Sequence, residues 1–134
     1  MKNLPVSFYA LSEEVVNLQY YLEDHYESRT LARDLKRIRT KLVKLIEYKP
    51  VYEPIEKEDF GKYYHNLKFL LEMDRDELAE AVDNFKRGCI EALPYLEAVT
   101  AESNVFDIID ALRDVYNRML YYLGSYDKNP YGYC

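Results

Sequence analysis

Apolar residues recur along most of this chain at spacings of three and four, the period of a helix with one buried face. Leu11, Val15, Leu18 and Leu22 share one face and predict a first helix over roughly 7–26. Leu31, Leu35, Ile38, Leu42 and Leu45, spaced 4-3-4-3, predict a second over roughly 28–48, with Ser28 as its N-cap. The step from Leu22 to Leu31 is nine residues, about half a turn out of phase at ~100° per residue. One straight rod would then face two opposite cores, so the pattern predicts a break near 24–28 and an antiparallel helical hairpin.

Pro50 and Pro54 make 49–58 a loop. Beyond it, Phe60, Tyr64, Leu67 and Leu71 predict a third helix. Asp74 with Glu77 has the form of a capping box and marks a new start, although the unbroken phase from Leu71 to Leu78 also suits one kinked rod. The fourth helix carries Leu78, Val82, Phe85, Cys89 and Ala92, and Pro94 is expected to end or bend it. Ser103 or Asn104 can cap a last helix bearing Val105, Ile108, Leu112, Val115 and Met119, stopped near Gly124. The expectation is an all-α antiparallel bundle of four long or five shorter helices over 1–124, followed by a polar C-terminal tail over 125–134.

Length and composition agree with one globular domain: 134 residues, 49% hydrophobic and 31% charged. No apolar run reaches the ~18 residues of a membrane span. Two cysteines, Cys89 and Cys134, suit free thiols in a reducing compartment, so a cytoplasmic protein is expected. Fifteen Tyr and no Trp give the chain many rings that can bury a face and keep a polar tip.

Charge is distributed unevenly. Between Ser28 and Lys49 lie eight Lys/Arg against Asp34 and Glu47, a balance of +6 in a chain of −6, which leaves −12 for the remainder. On a wheel Arg29, Arg33, Lys36, Arg37 and Lys44 fall opposite the Leu31–Leu45 seam, an outward face suited to an anionic partner. That partner is a nucleic acid, through salt-dependent phosphate contacts, or an acidic protein surface. Tyr9, Val16 and Tyr20 form a second stripe on the first helix, away from Leu11, and are a candidate association surface.

Catalytic chemistry finds less support. The two histidines, His25 and His65, lack the Glu-x-x-His spacing of di-iron bundles, and His25 is expected to be packed on the apolar face of the first helix. No glycine pattern for phosphates and no Ser-His-Asp or Cys-His arrangement is present, and nothing calls for a cofactor. The run Asp76-Glu77-x-x-Glu80, followed by Asp107-x-x-Asp110, resembles the acidic pattern of the all-α nucleoside triphosphate pyrophosphatases, the MazG-like and dimeric dUTPase families. That resemblance implies a Mg²⁺ site formed by Glu77, Glu80, Asp107 and Asp110, and hydrolysis of a nucleotide to its monophosphate. The chain departs from the pattern in opening its second motif with Asp107 instead of Glu, and Glu80, Asp107 and Asp110 fall opposite their own seams. The sequence is best read as a non-catalytic interaction protein, self-associating or a small subunit of a larger assembly.

Overall fold

The computed structural model describes residues 3–49 and 55–124; Pro50, Pro54, the 125–134 tail and Cys134 lie outside the described residues. Four long helices dominate: α1 (Leu4–His25), α2 (Leu31–Glu47), α4 (Arg75–Glu97) and α5 (Val105–Tyr121). Between α2 and α4 the chain forms a 3₁₀ stretch (Lys57–Tyr63), a single α-turn, α3 (Tyr64–Leu67), and a second 3₁₀ stretch (Lys68–Glu72).

Each boundary has a local cause. α1 starts three residues earlier than the apolar pattern suggests, because the Asn3 side chain accepts from the Val6 N–H at 3.3 Å and Pro5 sits in the first turn, where its missing N–H costs nothing. It ends at Tyr26, whose backbone is left-handed (φ 60°) and whose N–H reaches the Leu22 carbonyl. Ser28 is not the N-cap of α2. Its hydroxyl instead accepts from the Thr30 N–H, Thr30 donates to Asp34, and the helix begins at Leu31, so Arg29 lies in the preceding turn. Asp74 and Glu77 form the expected capping box, each side chain meeting the other residue's N–H at 2.9 and 3.1 Å. α4 runs past Pro94 to Glu97: the ring removes a donor only for the carbonyl one turn back, on a face open to water. Asn104 caps α5 through the Phe106 N–H at 2.8 Å.

The third helix is broken. Gly61 adopts φ 51°, and 3₁₀ geometry on both sides of α3 shifts the buried positions to Phe60, Leu67 and Leu70, leaving Leu71 exposed. Phe69, off the Phe60–Leu71 stripe, is half-buried against the core.

Cross-helix contacts establish the topology. Arg39 meets Glu97 and Lys86 meets the Tyr48 carbonyl, so α2 and α4 are antiparallel. Glu91 meets Arg118 while Arg87 covers the Tyr122 ring, which makes α4 and α5 antiparallel. Glu23 meets Arg113 and Tyr26 meets Phe106, so α1 and α5 are antiparallel as well. With the α1–α2 hairpin, the order is an up-down-up-down four-helix bundle with α1 and α4 on one diagonal. Its core runs through all four helices, with Phe8 and Phe85 in edge contact at 4.8 Å. Gly88 lets α4 and α5 touch: a Cβ there would stand 2.3 Å from the Met119 carbonyl oxygen.

One end is uneven. Lys86 is level with Tyr48 after α2, and Arg87 with Tyr122 after α5. The stretch from Arg75 to Phe85 therefore overhangs those two helices by roughly 16 Å at ~1.5 Å per residue. The 57–72 segment lies at this end, where Tyr63 stacks on Tyr9 and Lys62 meets Glu13 at 3.1 Å.

Candidate interaction surfaces

Ion pairs consume part of the basic segment. Glu14 on α1 takes Arg37 at 3.1 Å and Lys41 at 2.9 Å, Arg37 also meets Asp34, and Arg39 pairs with Glu97. Arg29, Arg33, Lys36 and Lys44 are exposed and form no ion pair with another described residue. What remains is a ridge along α2 and the turn before it, flanked by cations already neutralised.

The stripe expected on α1 is not assembled. Tyr9 is half-buried, packed edge-on to Phe8 at 5.5 Å and Phe85 at 6.3 Å and covered by Tyr63. Broken-helix residues that no periodicity in α1 could reveal supply that cover. Val16 is half-buried, and of the three only Tyr20 is exposed, at 56%. Tyr20 lies near Tyr116 on α5, whose hydroxyl is pushed above the ordinary tyrosine range by burial and then by Tyr20. His25 is also outside the core: its ring stacks on Tyr21 at 4.1 Å and its Nδ1 lies 3.0 Å from the Tyr21 carbonyl.

The four carboxylates of the nucleotide-hydrolase pattern are not brought together. Glu77 is held by its cap and Asp110 by Arg113 at 3.0 Å. Because Gly88 meets Met119, Glu80 and Asp110 run from that crossing toward opposite ends of the bundle, about 25 Å apart along the axis at ~1.5 Å per residue. Among the described residues no group of three or more His, Cys, Asp or Glu is placed to hold a metal ion.

A surface that periodicity did not single out lies on α4 and α5. Ile90 is 52% exposed on α4, with the exposed Pro94 one turn beyond it, and Tyr95 and Tyr121 are 38% and 64% exposed. Charged groups brace the rings. Tyr122 donates to Glu91, Glu91 also meets Arg118 at 3.4 Å, and Arg118 stands over the Tyr121 ring at 4.9 Å, its pKa raised first by the nearby Tyr95. Arg87 covers Tyr122 at 5.2 Å. The Tyr122 hydroxyl is raised above its usual range, first by its hydrogen bond to Glu91, and so stays a donor. Exposed tyrosine rings braced by arginine are a composition enriched in protein interfaces. The available signal was Ile90 and Pro94-Tyr95, apolar residues off the α4 seam.

No family model, no curated protein and no solved structure matches this chain. None of the described helices is long and apolar enough to cross a membrane.

Proposed function

We propose that the protein is a non-catalytic interaction module that associates with itself, or serves as a small subunit, through the face shared by α4 and α5. The observation that carries this reading is the exposed Tyr121 ring against Tyr122, the pair pre-set by Glu91, Arg118 and Arg87, with Ile90 exposed on the same two helices. Side chains already held in place lose little freedom when a partner covers them, which favours binding. Desolvated aromatic and arginine groups supply most of the energy of such contacts.

Light scattering across a concentration series tests it. The wild type is expected to exceed the 16.0 kDa of one chain, and Ile90→Glu/Tyr121→Glu to return it to that mass with its helicity intact. A wild type that stays at one chain mass at millimolar concentration, and brings down no stoichiometric protein, rules the reading out.

A further inference from the structure

Internal pairing leaves two rows of like charge without described partners, on the outer faces of neighbouring helices. One is the α2 ridge, Arg29, Arg33 and Lys36, with Lys44 further along. The other is Asp76, Glu80 and Asp83 on the overhanging part of α4, all exposed. The rows have the same sequence spacing, four residues and then three, and within the helices Arg33–Lys36 and Glu80–Asp83 rise by the same step of about 4.5 Å. An offset of 47 residues sets Arg33 level with Glu80 and Lys36 with Asp83, with Arg29 in the turn before α2 on the side of Asp76. The same offset sets the half-buried Val43 level with Ile90, and Lys44 with Glu91.

From this double match we infer that α2 of one copy docks, parallel, along the outer face of α4 of a second copy. The inference rests on the self-association proposed above and names its mode. Charge opposes charge over the overhang, and the apolar end of the α4 face meets the least polar part of the ridge. The two rows cannot meet within one molecule. α2 and α4 are antiparallel there, and the acidic row lies beyond the end of α2. Giving and receiving faces belong to different helices, so the contact is head-to-tail, and each added copy still presents one free face. Such a contact weakens with salt, because its charged part is exposed and screened.

Charge-swapped variants of the full chain test this mode. Arg33→Glu/Lys36→Glu keeps a working acidic row, and Glu80→Lys/Asp83→Lys keeps a working basic one. Each alone is expected to sediment as a monomer where the wild type forms dimers and larger species; a 1:1 mixture is expected to regain dimers and larger species of alternating chains, because the reversed ridge of one variant also complements the reversed row of the other. Arg33→Gln/Lys36→Gln supplies a milder change if either reversal lowers the helical signal. A mixture that stays monomeric overturns the inference. If the wild type associates, both reversals leave it unchanged and Ile90→Glu abolishes it, self-association stands and this mode falls. A monomeric wild type removes both. Retention of a monomeric wild type on single-stranded RNA, lost in Arg33→Glu/Lys36→Glu, assigns the ridge to a polyanion and overturns the docking.

Discussion

Replacing Gly88 by alanine sets two opposing effects against each other at the α4–α5 crossing. In an exposed helix the change stabilises by about 0.8–1 kcal/mol, the difference in helix propensity. Here the new methyl carbon would stand 2.3 Å from the Met119 carbonyl oxygen and 3.0 Å from that of Arg118. Both are backbone atoms of α5, so no side chain can swing aside and the helices must separate by about 1 Å. Overpacking of this kind costs about 1–3 kcal/mol or more, and the separation also loosens the core that α4 and α5 share. The expected net is a loss of about 1–2 kcal/mol. At ~2.1 cal/mol/K per residue of unfolding entropy, that lowers Tm by roughly 4–7 °C for a chain of this length. Thermal unfolding followed by circular dichroism, with Asn117→Ala on the exposed side of α5 as a control, measures it. An unchanged or raised Tm for Gly88→Ala would mean that α4 and α5 do not approach this closely.

Other consequences are accessible to simple assays. Cys89 is buried with its thiol pKa near 12 against an ordinary 9.0, so its raised value favours the neutral folded form and the stability it contributes is lost as pH rises above 9. In a Cys134→Ser background the remaining thiol is expected to resist disulfide reagents until the chain unfolds, and prompt labelling of native protein would contradict that burial. Asp74→Ala removes the α4 capping box and is expected to cost about 1 kcal/mol in urea unfolding; Asp74→Asn is expected to lose much less. Phe85→Ala leaves Phe8 and Tyr9 without a shared neighbour and should cost about 3–5 kcal/mol, among the largest single losses in the molecule. Glu14→Gln, although it unpairs both Arg37 and Lys41, should cost under about 1 kcal/mol because all three side chains remain partly exposed to water.

The four long helices were legible because each carries an apolar stripe at helical spacing, although only α4 and α5 begin at the cap their residue types suggested. The α2 seam from Leu31 to Leu45 is wholly buried, and Asp74–Glu77 caps as its residue types require. The 57–72 segment was not legible: its apolar spacing mimics an α-helix, whereas Gly61 at positive φ and 3₁₀ geometry bury Leu70 in place of Leu71. That error spread to α1. Whether Tyr9 faces outward depends on Tyr63, a residue more than fifty positions away on the broken segment, and a helical wheel holds no information about it. The Ile90–Tyr121 face was missed for a related reason, since it is composed across two helices and neither wheel alone displays it. Opposite placement of the two acid pairs likewise followed from the antiparallel pairing of α4 with α5, which spacing along the chain does not specify.

The up-down-up-down order also bears on how the chain folds. α1–α2 and α4–α5 are joined by short turns and α2–α4 by the longer 48–74 connection, so these pairs form between long helices consecutive along the chain. The exception is the seam between α1 and α5, where Glu23 meets Arg113 and Tyr26 meets Phe106 across most of the chain. Closing that seam pairs the first helix with the last, and it can happen only after α5 has emerged from the ribosome. During synthesis, α1 therefore waits with one apolar flank uncovered, and the final helix completes the barrier between the core and water.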